Sequence, residues 1–414
     1  MLDVLELEER TIVKFKPRLE VLSHARNKKA SYQFLPEMIA ELKDNSKIPY
    51  QGRLLKTTYL IDIIHSLVLK YYFKKENRFN ISSEILKEKY NGNYNYYMKY
   101  LEEKGVIKLL KNHQKGVNAR IYKLNSKIFT EPIHRYWNYD KFLLKKYVKS
   151  ILSVEDATKN TKGGIDKDIR LKMVDDLFYG EVNFEASMDF LDKTSDANSE
   201  SFEWNKYGVE SIHKKHFFNH FDLYGRMHTN FTILKSTIRK NWVLIDGDET
   251  IELDIHNSQP LFLCKMIMSS DSNIVDPTEL NLFRQLTSTG NFYQYILDNS
   301  NHKEKKVVKK MVYMVLFGKN NRKSKYDITF SKLFPTIHNY IKDFKKVRND
   351  HRQLSYVLQN LESDFIFNIV IREIMTMHPH IRLITVHDSI ICAKKYKHEV
   401  ESIFYRKMKE HFNL

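Results

Sequence analysis

Two short segments, Ile251-Glu252-Leu253-Asp254-Ile255 and Val386-His387-Asp388-Ser389-Ile390, each set a carboxylate among apolar neighbours. A charge in such surroundings is costly unless something neutralises it, and a divalent cation would do so. Between the two segments, Lys305, Lys309, Tyr313 and Phe317 recur every four residues and so share one helix face, which Gly318 closes. Two cations followed by two rings could meet phosphate, sugar and base in turn. In this order, the three elements suit template-directed transfer of a nucleotidyl group. Each has a plainer reading alone. A strand-end Asp caps or pairs, a hairpin tip is simply polar, and a lysine face is solvated. The plain reading leaves Tyr313 and Phe317 on the lysine stripe unexplained.

The elements that must position these groups follow from periodicity. Ile251, Leu253 and Ile255 alternate with Glu252 and Asp254, which predicts a half-buried strand presenting acid to a cleft. Asn257-Ser258-Gln259-Pro260 then leads into an apolar helical run from Leu261 to Met268, with Pro260 suited to the first turn. The apolar runs Leu383–Val386 and Ile390–Ala393 flank His387-Asp388-Ser389 and predict a tight hairpin with Asp388 at its tip.

Upstream, residues 55–73 carry apolar groups at helical spacing. Ser82 is placed to cap a second helix, Asn91-Gly92-Asn93 breaks it, and a third runs from Tyr94 to Lys104 before Gly105. Two β-like runs, Val106–Leu110 and Arg120–Leu124, enclose a basic loop, Lys111 to Ala119. Helix, turn, helix and a basic-tipped hairpin resemble a winged helix-turn-helix. Its second helix would offer Asn93, Asn95, Tyr96 and Lys99 to bases or phosphates. Such modules also dock proteins. The stretches 156–168 and 193–201 are turn-rich and predict loops, and 171–191 between them predicts a helix.

Bulk properties agree with a globular, helix-rich chain. Of 414 residues, 42% are hydrophobic, and 12 Gly and 8 Pro leave room for few tight turns. Lys and Arg number 68 against 51 Asp and Glu, a formal charge of +17 that favours a polyanionic partner. A Lys/Asn/Ile/Tyr-rich background also contributes to that excess. Cys264 and Cys392 sit in apolar runs and read as core residues, with neither a disulfide framework nor a zinc site. The N-terminus shows no signal-peptide pattern and no run reaches membrane-spanning length, so a cytoplasmic location away from membranes is expected.

The last ~190 residues resemble the polymerase domain of family A DNA polymerases, whose superfamily includes single-subunit RNA polymerases. Asp254 falls on the motif A aspartate, and Lys305, Lys309, Tyr313, Phe317 and Gly318 fall on the motif B helix. His387 and Asp388 fall on motif C. Tyr224-Gly225-Arg226, Phe330 to Ile341, and Leu358-Gln359 with Asp364 resemble further segments in the same order.

The resemblance implies an α+β right-hand core, an antiparallel palm sheet with helical fingers, behind a helix-rich N-terminal region with the winged-helix-like part. The expected boundaries are 1–130 for the N-terminal module (winged part about 80–125), 131–201 for a helical connector or thumb-like region, and 202–414 for palm and fingers. The palm would span about 222–262 and 355–414, and the fingers about 263–350.

It also implies roles. Asp254, Asp388 and the carbonyl of Ile255 would hold two Mg²⁺ ions, with Mn²⁺ as a substitute. Lys309 would neutralise phosphate charge and serve the leaving group, and Lys305 would hold the distal phosphates. Tyr313 and Phe317 would pack on the incoming nucleotide, with Gln259 near its sugar. Arg226, Gln359, His387 and Gly318 would face primer and template. The implied activity is DNA-templated addition of nucleotides to a primer 3′-OH in replication of a mobile element or phage, with priming as a further activity. Partners would be primer–template or single-stranded DNA, nucleoside triphosphates, and an accessory replication protein at the N-terminal module. Departures bear on sugar choice: Gln259 replaces a glutamate, Phe317 a tyrosine, and Ser389 the motif C glutamate as in the RNA polymerase branch. A single-subunit RNA polymerase or RNA primase, and a non-catalytic DNA-binding replication initiator, stand as the other readings.

Overall fold

Leu383–Val386 and Ser389–Ala393 are buried at every position, so the two strands form the apolar heart of a sheet covered on both faces. A computed structural model of the protein describes residues 31–44, 46–74, 77–112, 119–129, 132–152, 164–194, 199–270, 274–320, 325–347 and 350–413. Its architecture is α+β. Five antiparallel strands run in the order 383–386, 389–393, 248–254, 243–245, 180–182. The alternating strand Asp248–Asp254 is only partly covered, as its pattern requires. Helices Ser258–Met268, Gln353–Asp364 and Lys397–Phe412 contribute to one hydrophobic core with this sheet. The helix at Gln353 continues through a π-helical stretch, Phe365–Ile371, into Arg372–Met377.

The edge strand corrects one expectation. The predicted single helix over 171–191 is two, Lys167–Leu177 and Phe184–Thr194, with the strand Gly180–Val182 between them. Gly180 explains the break: a Cβ there would stand 2.5 Å from the Phe231 ring and 2.8 Å from Ile384. Only a residue without a side chain lets this strand pack so closely. The neighbouring helix is bolted to the sheet by buried charges. Arg382 Nη1 donates to Asp175 and Asp176 at 3.0 Å each, Lys172 reaches Asp176 at 2.5 Å, and Leu383 N donates to Asp176 Oδ2 at 2.9 Å. The segment read as a connector therefore supplies part of the frame that holds the 383–386 strand.

The N-terminal part has its own core. Helix Thr57–Lys74, strand Arg78–Ile81, helices Ser83–Tyr90 and Tyr94–Glu103, and strands Ile107–Lys111 and Arg120–Leu124 follow one another. The strands pair in the order 78–81, 120–124, 107–111. Ser82 caps the second helix through Oγ to Glu84 N at 3.3 Å, and Gly105, at φ +69, ends the third. The hairpin Lys47–Tyr50/Arg53–Lys56 leans on that third helix. Strand Ser31–Pro36 pairs with Ile133–Asn138, and Trp204 and Tyr207 of helix Glu200–His213 join the N-terminal core. Arg135 adds ion pairs to Glu203 at 2.7 Å and Glu210 at 2.9 Å. Of the predicted loops, residues 113–118, 156–163 and 195–198 lie outside the described residues. No helix among the described residues is long and apolar enough to cross a membrane, and both cysteines are buried and unbridged.

Candidate active site

Strand 248–254 pairs with 389–393 so that Asp254 stands opposite Ser389. Val386 also pairs with Ser389, leaving His387 and Asp388 as a two-residue turn. His387 takes φ +56, a conformation that costs a non-glycine residue about 1 kcal/mol or more and recurs at functional sites. The register thus delivers Asp254 and Asp388 to one wall of a cavity of about 600 Å³.

The helix Lys305–Phe317 lines the same cavity. Val308, Met311, Val312, Val315 and Leu316 bury one face, which turns Lys305, Lys309 and Tyr313 outward to the cavity. Lys309 Nζ lies 5.8 Å from the Tyr313 ring centroid. Lys306 also lines the cavity, as does Tyr293, from helix Phe292–Asp298, which hydrogen-bonds Tyr313. Arg226, on the turn joining strands Asn219–Phe221 and Met227–Thr229, and Ile255, Gln259 and His387 complete the predicted set that reaches the cavity.

Three predicted residues do not wall it. Phe317 is partly buried against the core and stacks on Tyr313, with centroids 5.7 Å apart at 24°. Gly318 ends the helix, where a Cβ would meet Met314 O at 2.3 Å, so the glycine serves close packing of the last turn. Gln359 donates to Ser355 Oγ at 2.8 Å on its own helix.

Electrostatics separate the acids. Glu252 is held by Arg239 at 3.3 Å and by Ser389 Oγ at 2.8 Å. Neither Asp254 nor Asp388 has an ion-pair partner among the described residues. Burial in the cleft, then Glu362, then Asp254 push the Asp388 carboxyl up to about 7. Asp254 is raised by desolvation and by Glu252, with His256 and Lys309 pulling the other way. His387 is pushed down to about 4 by desolvation and by Arg226, His228 and Arg239. Its surface is open, yet it sits in a concave wall where the protein displaces much of its water.

Sequence reasoning missed Glu362. It is buried at 1% exposure on the floor of the cavity. It accepts from Arg226 Nε at 3.0 Å, Arg226 Nη2, Ser258 Oγ at 2.7 Å and Gln259 Nε2. The signal was present: Leu354, Leu358 and Glu362 recur at helical spacing, which puts an acid on a buried stripe.

A metal fits this donor set in part. Two carboxylates and the Ile255 carbonyl are hard oxygen donors, and each acid is raised chiefly by desolvation and then by a neighbouring carboxylate, a field that favours a cation. Among the described residues no group of three or more His, Cys, Asp or Glu side chains could hold a metal by itself. Mg²⁺ usually keeps waters and substrate phosphates in its shell, so two carboxylates suffice for a site completed by a triphosphate.

No protein-family model matches the chain, and no curated protein matches it.

Proposed function

We propose that this protein is a template-directed nucleotidyltransferase of the family A polymerase type, extending a primer 3′-OH on DNA. One observation carries the reading: Asp254 and Asp388, 134 positions apart, line one cavity together with Lys305, Lys309 and Tyr313. The palm would be the five-stranded sheet and the fingers the helices between Met268 and Val347.

Divalent cations bound at the two aspartates would supply Lewis-acid activation of the 3′-OH and charge stabilisation on the phosphates. Asp254, Asp388 and the Ile255 carbonyl give the oxygen ligands. Lys309, close enough to Asp254 to lower its pKa and 5.8 Å from the Tyr313 ring centroid, would offer positive charge to a triphosphate and a proton to the departing pyrophosphate. Lys305, one turn earlier, holds the distal phosphates as a point charge. The half-exposed Tyr313 ring, backed by Phe317 and Tyr293, offers a flat face to a base. His387, with its depressed pKa, stays neutral near pH 7, which suits a hydrogen bond to a primer end over a charge.

The N-terminal element sequence and strand order fit a winged helix running from Thr57 to Leu124, which takes in the first helix as well. Its proposed base-facing residues are partly engaged within the protein. Arg53 Nη1 donates to Asn93 at 3.1 Å and its guanidinium covers Tyr96, while Arg120 Nη1 donates to Asn95 at 2.9 Å. Arginines from the hairpin and the wing thus extend the surface that DNA would meet.

Extension of a primed template with Mg²⁺, comparing dNTPs with rNTPs, tests the reading. Extension with rNTPs alone would favour the RNA polymerase branch. DNA binding without extension would favour the replication initiator.

A further inference from the structure

Glu362 is a charge where helix spacing calls for a hydrophobe, and burying it is expensive unless every lone pair is used. Here four donors from two other elements converge on it. Arg226 comes from the turn between 219–221 and 227–229, and Ser258 and Gln259 from the first turn of helix 258–268. The carboxylate takes the Nε–Nη2 edge of the guanidinium. That leaves Arg226 Nη1, on a side chain 19% exposed and lining the cavity, with no hydrogen bond among the described residues. A guanidinium held by one edge has lost its rotational freedom and presents the remaining N–H pair in one direction. The arrangement also keeps Arg226 from pairing with Asp254 or Asp388, which would cancel the acids.

We propose that Glu362 is a positioning residue: it locks Arg226 so that Nη1 donates to an acceptor on the duplex end bound in the cavity. This rests on the nucleotidyl-transfer reading and adds a residue to it. The partner group is a hydrogen-bond acceptor of that duplex end, because a guanidinium N–H can only donate. A purely structural Glu362 would instead only tie the helices together.

The test uses the full chain with Glu362→Gln, Arg226→Gln and the double variant. Three quantities are read: primed-template KM and nucleotide KM in extension, affinity for a fluorescent primed duplex, and the thermal melt. Glu362→Gln keeps the shape and is expected to weaken primed-duplex binding about 10-fold, with nucleotide KM changed less than about twofold. Adding Glu362→Gln to Arg226→Gln is expected to cost little more, since no guanidinium remains to be held. Equal losses in both backgrounds, or a loss shared by nucleotide KM, would overturn the proposal. Arg226→Lys guards against a misfolded Glu362 variant. It keeps a cation on Glu362 but removes the fork, so it should lose the same affinity, and normal affinity would overturn the proposal. A wild type that binds primed DNA without extending it removes the polymerase reading alone. The binding arm then still decides the role of Glu362.

Discussion

Asp254 lies directly across the sheet from Ser389, the residue that follows Asp388. A one-residue slip in this pairing would send one of the two acids to the opposite face of the sheet. The pairing therefore couples the acids as a unit, and their loss should be correspondingly non-additive. Asp254→Asn and Asp388→Asn are each expected to lower extension by about 10³-fold or more, and the double variant scarcely further. Single-turnover extension on folded protein checks this.

The pH dependence follows from Asp388. Its folded pKa, about 7, lies above its ordinary value of 3.8, so the folded state holds the proton more tightly than the unfolded one. Its contribution to metal-free stability is therefore intact below the ordinary value and is lost as pH climbs through 7. A cation needs the deprotonated acid. The rise in melting temperature on adding Mg²⁺ should thus be larger at pH 8 than at pH 6, and Asp388→Asn should flatten that difference. Thermal melts at the two pH values, with and without Mg²⁺, read both effects.

Lys305 and Lys309 share a face but stand differently toward the acids. Lys309 lies close enough to Asp254 to lower its pKa, whereas Lys305 is one turn removed. Lys309→Met should reduce kcat by about 10²-fold, the usual size of a lost transition-state charge contact. Lys305→Met should chiefly raise nucleotide KM. Steady-state extension with varied nucleotide separates the two.

The end of the lysine helix depends on two packing features. Lys345, buried at 4% exposure, donates from Nζ to Val315 O at 2.6 Å and Gly318 O at 2.9 Å. Removing that donor strands two carbonyls, so Lys345→Met should cost about 2–3 kcal/mol. Gly318→Ala should also destabilise, because the added methyl meets Met314 O. Denaturant unfolding measures both, and neither should change the nucleotide KM of the folded fraction more than about twofold.

Much of the site was legible because its signals are local. The two apolar runs around His387-Asp388, the alternation ending at Asp254, and the four-residue spacing of the lysine helix each specify an element and a face. What escaped depends on distant partners. The strand Gly180–Val182 is too short to show periodicity, and its glycine is explained only by Phe231 and Ile384. The pairing of Ser31–Pro36 with Ile133–Asn138 joins segments a hundred residues apart. Glu362 shares a helical stripe with Leu354 and Leu358, but the donors that make its burial possible, Arg226, Ser258 and Gln259, lie more than a hundred residues away. Phe317 and Gly318, expected to meet the nucleotide and the template, serve the packing of the helix.

The most direct measurement is extension of a labelled primer on a DNA template by the full chain with Mg²⁺, wild type against Asp388→Asn. The account predicts template-dependent products from the wild type and almost none from the variant, although both bind the duplex. Equal extension by the two proteins, or none by a folded wild type with either nucleotide class, would contradict it.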